Sequence, residues 1–230
     1  MGVVCGKCGK TVEGEGIQFC PYCGEKLTGR TEATGEDPGA EWVRKAMEVS
    51  SYPERKKILE QGLAACPDSR EIRWELLFIG EPQQVKRPRT MDFSIIKSWI
   101  LEIYRKPGNF TPDRRDQLRA GLYDDPKLKA CLALFEDPEQ KQKEYILRLC
   151  REYIEIFLEG DSQVSGTWFG LRIERNKEKR MSQPAAEILG RIRGDEKLLP
   201  EQREQLRKAF YQAYAERMGG KTEYLDQALQ

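Results

Sequence analysis

Histidine is absent from the 230-residue sequence. This absence excludes Ser-His and Cys-His nucleophile pairs, general acid–base catalysis by imidazole, and metal sites with imidazole ligands. The phosphate-binding, dinucleotide-binding, nucleophile-elbow and zinc-protease motifs (GxxxxGK[ST], GxGxxG, GxSxG and HExxH) are also missing. We therefore expect a protein that is not an enzyme.

Net charge and long apolar runs are lacking as well. The 39 Lys and Arg residues nearly balance 38 Asp and Glu residues, which leaves a formal charge of +1. A general polyanion-binding domain is usually basic overall, so this balance argues against that class. No apolar run approaches the roughly 18 residues of a membrane-spanning helix, and MGVVCGKCGK contains no apolar signal-peptide core. The expected compartment is the cytoplasm, with no membrane partner.

The cysteines are few and unevenly placed. Of seven, four form two C-x2-C pairs separated by eleven residues: Cys5, Cys8, Cys20 and Cys23. An odd number of cysteines, clustered this way in a cytosolic chain, favours metal binding over disulfides. Two residues between thiolates let one loop present both sulfurs to an ion at about 2.3 Å. A glycine follows each pair and lets backbone N–H groups turn toward the sulfurs.

The segment from residue 3 to 27 resembles a zinc ribbon. Between the cysteine pairs, VEGEGIQF predicts a strand, a glycine-rich turn and the start of a second strand. Four thiolates leave no open position for water, so the resemblance implies one structural Zn²⁺ per chain. A redox iron site of the rubredoxin kind is the alternative, although the loop between the knuckles is far shorter here than in that family.

The remaining sequence predicts a mostly α fold: a small N-terminal β-hairpin zinc ribbon (residues 1–27), a flexible linker (28–40) and an all-α helical domain (41–230). The linker TGRTEATGEDPGA has no apolar periodicity. Prolines that follow capping residues and apolar residues at helical spacing predict the helices. These cover about 41–50, 53–65, 69–79, 92–106, 112–121, 126–135, 138–159, 171–181, 184–193, 200–218 and 222–229.

Residues 53–79 resemble part of a tetratricopeptide repeat. The match is GLAACPDS between two predicted helices, with Gly62 in place of the usual small Ala. No second copy follows at a period near 34, so the resemblance implies a helix-turn-helix of that shape. It does not extend to a solenoid.

Two basic segments are candidate interaction sites. Residues 84–90 contain Lys86, Arg87 and Arg89; residues 171–181 contain Arg172, Arg175, Lys179 and Arg180. They could contact phosphate or an acidic partner. The simpler interpretation is a solvated loop for the first segment and a charged helix face with i,i+4 pairs for the second.

Residues 159–171 form the longest aperiodic stretch of the body. They offer a candidate pocket loop with Asp161, Ser162, Thr167 and Trp168. The simpler interpretation is a turn that its aromatic residues anchor to the core. The three remaining cysteines, Cys66, Cys131 and Cys150, are expected to be inert buried thiols.

These features favour a non-enzymatic cytosolic zinc-ribbon protein that acts as a protein-interaction or adaptor module. Its partner would be another protein, with the helical body presenting a groove or face and the ribbon providing a second contact. The alternative is a nucleic-acid-associated regulatory protein that uses segments 84–90 and 171–181.

Overall fold

The computed structural model describes residues 2–4, 11–13, 22, 37–80, 96–159 and 177–230. The chain divides into two compact units, Met1–Pro38 and Gly39–Gln230. We call the second unit the helical body. The predicted boundaries of the ribbon and linker at residues 27 and 28 lie outside the described residues.

The first unit contains a short antiparallel pair of strands. Strand β1 (Gly2–Val4) pairs with β2 (Thr11–Glu13), with Val3 opposite Val12. The β-branched side chains of these segments favour extended backbone. β2 overlaps the predicted first strand at Val12 and Glu13, and it pairs with β1, a strand before the first cysteine pair that the sequence analysis did not predict. The predicted second strand lies outside the described residues.

The helical body is predominantly α-helical, which confirms the coarse fold class. Its described residues form ten α-helices: α1 (Ala40–Met47), α2 (Tyr52–Ala65), α3 (Arg70–Leu76), α4 (Glu102–Arg105), α5 (Pro112–Tyr123), α6 (Pro126–Leu132), α7 (Pro138–Tyr153), α8 (Lys177–Arg193), α9 (Pro200–Arg217) and α10 (Glu223–Ala228). Short 3₁₀ turns cover Lys97–Leu101 and Pro107–Asn109, and a π-helical turn covers Ile154–Leu158.

Side-chain caps and prolines fix the starts of three consecutive helices. Thr111, Asp125 and Asp137 each accept a hydrogen bond from a backbone N–H two or three residues later, at 2.8 to 3.3 Å. A proline follows each cap at the first helical position, where its missing N–H has no intrahelical role. The predicted starts of α5, α6 and α7 are confirmed.

The prediction of one helix over 92–106 is wrong within the described residues. Ile96 is extended and forms an antiparallel bridge with Ile79. The next N–H donates to the carbonyl of Phe78 at 3.0 Å, and the chain then runs through Lys97–Leu101 as a 3₁₀ turn before Glu102–Arg105 becomes α-helical. Pairing with a segment distant in sequence therefore overrides the local helical propensity.

The prediction of separate helices at 171–181 and 184–193 is also wrong. One helix, α8, runs from Lys177 to Arg193 with Pro184 inside it. A proline within a helix removes one backbone hydrogen bond and is unfavourable. Continuous burial of Met181, Ala185 and Ile188 along one face offsets this cost.

The helical body has two hydrophobic clusters. The larger surrounds α7, α8 and α9 and contains the fully buried rings of Tyr145, Tyr153, Tyr214 and Phe210. The smaller joins α1, α2 and α3 through Ala46, Leu59, Ile72 and Ile79. The helix pair α2–α3 thus buries its apolar face against α1. In the part of the chain that the structure describes, no repeated copy of this pair stacks on it. Within the described residues, no helix combines the length and apolarity needed to cross a membrane.

Candidate interaction grooves

Most residues singled out from the sequence lie outside the described part of the chain. They are the four cysteines Cys5, Cys8, Cys20 and Cys23, the basic residues Lys86, Arg87, Arg89, Arg172 and Arg175, and the loop residues Asp161, Ser162, Thr167 and Trp168. Among the described residues, no group of three or more Cys, Asp or Glu side chains is arranged to hold a metal ion. The proposed cysteine ligands lie outside that search.

Lys179 and Arg180 are described, and both lie in the first turn of α8. Lys179 is exposed and Arg180 is half-buried. The hydroxyl of Ser182 donates to the carbonyl of Lys179 at 2.9 Å, next to the proline of this helix. The two cations are therefore adjacent in sequence but differ in their access to solvent.

The residues on either side of segment 160–176 are held together by charge. Glu159 accepts from Lys177 at 2.5 Å through one carboxylate oxygen and from the Arg217 Nε at 2.6 Å through the other. Burial alone would raise the pKa of Glu159, but the two cations outweigh it and hold this pKa below its usual value. This cluster joins the end of the π-helical turn to the start of α8 and the last turn of α9.

The helical body contains an apolar groove with a volume of about 540 Å³. It lies between α2, α3, the 3₁₀ turn at Lys97–Leu101 and α6. Its apolar lining consists of Leu63, Leu76, Leu77, Ile79, Trp99, Ile100, Ala130 and Cys131. We refer to this surface as the apolar groove.

Six charged residues line the apolar groove, four of them basic: Lys56, Arg73, Lys97, Lys127, Glu60 and Asp125. Lys97 pairs with Asp125 at 2.7 Å, and Lys56 lies 3.8 Å from Glu60. Burial would raise the pKa of Asp125, but Lys97 and two backbone N–H groups hold it below its usual value. The groove therefore combines apolar walls with a rim of net positive charge.

The one thiol in the wall of the apolar groove is not activated. Burial raises the pKa of Cys131 to about 11, against the weaker opposing effects of Arg73 and Lys141. A thiol with such a pKa stays protonated at neutral pH and is a poor nucleophile. Burial also raises the pKa of Cys150, which is fully buried. Both thiols are buried as predicted, whereas Cys66 is only partly buried.

Among the described residues, the most buried carboxylate belongs to Asp195, and its hydrogen bonds connect separate elements of the fold. Asp195 accepts from the Tyr104 hydroxyl at 2.9 Å and from the Arg119 Nε at 2.7 Å. Its other oxygen accepts from the backbone N–H of Lys197 at 3.2 Å. Burial and the adjacent carboxylate raise the pKa of Tyr104. This network joins α4, α5 and the α8–α9 connection.

Sequence reasoning did not identify the apolar groove. Its residues come from four elements that lie far apart along the chain, and each is an ordinary apolar or charged helical residue. The sequence contains no local signal that would group Leu63 with Trp99 and Ala130. Comparison of the chain with protein-family models, with curated proteins and with solved structures found no match.

Proposed function

We propose that this chain is a non-enzymatic adaptor that binds a protein partner through the apolar groove of its helical body. The observation that carries the proposal is the groove itself, because it is concave, has apolar walls and has a charged rim. Its volume of about 540 Å³ falls within the usual range of about 300–1,000 Å³ for ligand pockets.

The occupant that fits is an amphipathic helix with acidic residues beside its apolar face. Two or three aliphatic side chains at helical spacing would fill a groove of this size. The rim contributes four basic and two acidic side chains, a formal surplus of two positive charges. Charge complementarity of this kind favours encounter with an acidic segment and fixes its orientation.

The N-terminal unit would supply a second contact point. Cys5, Cys8, Cys20 and Cys23 supply four sulfur donors, the set typical of a closed structural Zn²⁺ site. In the sequence, the first cysteine pair lies between the segments that form β1 and β2, whose ends pair at Val4 and Thr11. The ion would stabilise a unit that is too small to bury much core without it.

A helical peptide with leucines at helical spacing and glutamates between them serves as the probe of the groove. The Ala130→Trp substitution places a bulky ring in the groove from an exposed position on α6, and Ala64→Trp places the same ring on the exposed face of α2 as a control. We expect saturable binding to the wild type and to Ala64→Trp, and a loss of at least about tenfold with Ala130→Trp. Fluorescence anisotropy of the labelled peptide measures this.

Equal binding by both tryptophan variants would overturn the groove as the docking site.

Titration with labelled duplex DNA and single-stranded RNA tests the nucleic-acid hypothesis. We expect only weak binding near 0.15 M salt, because few cations are available to displace counterions. Sub-micromolar binding at that salt concentration, lost on neutralising Lys86, Arg87, Arg89 and Arg175, would instead support a nucleic-acid-associated regulator.

A further inference from the structure

A second cavity of the helical body, with a volume of about 520 Å³, has different chemistry. It lies between α1, α3 and the start of α7. The rings of Trp74 and Phe135 meet there edge to face, with centroids 5.7 Å apart and planes at 70°. Both rings are only partly buried. We refer to this surface as the aromatic cleft.

The aromatic cleft already holds one of the chain's own cations. The Lys141 ammonium lies 4.9 Å from the centre of the Trp74 ring and 5.0 Å from the centre of the Phe135 ring. Its charge is paired with Glu144 at 2.5 Å. The guanidinium of Arg70 lies 5.8 Å from the Phe135 ring centre. Because an ammonium lies over both rings and beside a carboxylate, this surface stabilises positively charged groups.

Negative charge exceeds positive charge around the aromatic cleft. Five carboxylates line it against two cations: Glu71, Glu75, Glu136, Asp137 and Glu144 against Arg70 and Lys141. Glu75 forms a two-pronged pair with Arg148, and Asp137 caps α7. Glu136 and Glu144 lie on the α7 side of the cleft and are partly or fully exposed. The lining therefore has three more carboxylates than cations, or two more when the Arg148 partner of Glu75 is counted, and this negative charge attracts a cationic ligand.

We propose that the aromatic cleft binds an arginine side chain from a basic segment of a partner protein, which displaces Lys141. A planar guanidinium stacks on aromatic rings and pairs with carboxylates through two hydrogen bonds, so it gains more from this cleft than an ammonium does. Lys141 has a flexible stem and is partly exposed, and it can turn into solvent when a better cation enters.

The aromatic cleft is independent of the apolar groove. Helix α3 contributes to both, but Arg70, Glu71, Trp74 and Glu75 face the cleft while Arg73 and Leu76 line the groove. The two surfaces differ in sign of charge and in the chemistry of the ligand that each fits. Failure of either proposal therefore leaves the other unaffected.

The decisive comparison is between two charge-matched lysine variants. Lys141→Gln removes the internal competitor from the cleft, whereas Lys208→Gln removes a highly exposed cation of α9. The probe is a fluorescein-labelled peptide with two arginines flanked by glycines, titrated with the full chain and followed by anisotropy. We expect Lys141→Gln to tighten binding by about threefold or more and Lys208→Gln to change it by less than about twofold. Equal effects of the two variants would overturn the proposal.

A second pair of variants tests the carboxylates. Glu136→Gln with Glu144→Gln should weaken binding of the arginine peptide about tenfold, while Glu187→Gln with Glu201→Gln, exposed residues of α8 and α9, should leave it nearly unchanged. A peptide of the same length with glutamates in place of the arginines should not bind. Binding of the glutamate peptide with similar affinity, or equal loss in both double variants, would show non-specific adhesion and overturn the proposal.

Discussion

Two buried serines of the helical body differ in how their hydroxyls are satisfied. The Ser69 oxygen accepts from the backbone N–H of Ile72 at 3.1 Å and caps α3. The Ser98 oxygen lies in the 3₁₀ turn, is fully buried and has no hydrogen-bond partner among the residues that the structure describes. A buried hydroxyl without a partner is unfavourable, whereas a capping hydroxyl is stabilising.

Substituting these serines with alanine should therefore change stability in opposite directions. We expect Ser98→Ala to raise the free energy of unfolding by about 1 kcal/mol, and Ser69→Ala to lower it by about 1 kcal/mol. Urea denaturation followed by circular dichroism measures both. A loss of stability in Ser98→Ala would indicate that its hydroxyl is satisfied, for instance by a buried water.

The acid sensitivity of the helical body should depend on Glu159. Lys177 and Arg217 hold its pKa below the ordinary value of 4.5. Because the pKa is lowered on folding, this stabilising contribution is fully present above pH 4.5 and is lost as the pH falls through the folded-state pKa. We expect Glu159→Gln to lower the free energy of unfolding at neutral pH and to have a shrinking effect toward about pH 3. Denaturation at several pH values measures this; a difference that does not vary with pH would contradict it.

The close contact between helices α1 and α2 depends on Gly62, which has no side chain. A Cβ atom at Gly62 would lie 2.7 Å from the Cβ and Cγ of Trp42, closer than real Cβ contacts permit. Contact with Trp42 therefore explains why the tetratricopeptide-like segment has glycine, and not the usual alanine, at position 62. It lets the Trp42 ring pack directly on the α2 backbone.

Replacing glycine by alanine should have opposite effects in α2 and α8. Within a helix the change usually stabilises by about 1 kcal/mol. We expect that gain for Gly190→Ala, because a Cβ there meets nothing within 4 Å. Gly62→Ala should instead destabilise by about 1–2 kcal/mol through overpacking against Trp42. Thermal melts of the two variants measure the difference, and equal gains in both would show that α1 shifts freely.

At the scale of the whole molecule, the helical body contains its own hydrophobic core. Among the residues whose side chains the structure describes (22, 37–80, 96–159 and 177–230), every buried apolar side chain lies at Ala46 or beyond. The two core clusters are likewise built from residues of the second unit. The body thus contains the apolar contacts that a domain needs to fold.

A truncated chain of residues 39–230 should keep its helical circular dichroism and a cooperative melting transition. Its melting temperature should stay within about 3 °C of that of the full chain, because the core is retained. Loss of cooperative melting after truncation would show that the two units stabilise each other.

In the full chain, a chelator should remove about one Zn²⁺ and leave the helical signal of the body intact. Replacing Cys5 and Cys20 by Ser should abolish zinc binding.

The sequence by itself determined the mostly helical class and the starts of several helices. A cap such as Thr111 or Asp137, followed by proline, acts within one turn, so its effect can be read locally. The four-cysteine pattern likewise predicts its metal from spacing and donor type, and that prediction stays untested by the described residues.

The tertiary structure decided the features that depend on contacts between distant segments. The bridge between Ile79 and Ile96 makes the chain extended where its periodicity is helical, and burial of one face keeps α8 continuous through Pro184. Both grooves are assembled from separate elements: Trp74 meets Phe135 only because α3 packs beside the start of α7. The propensities of ordinary residues amount to fractions of a kcal/mol, and a proline inside a helix costs about 3 kcal/mol. Each large apolar side chain that is buried contributes about 1.5–3 kcal/mol, so several of them together outweigh either effect. Where the two conflict, packing between residues far apart in sequence determines the conformation.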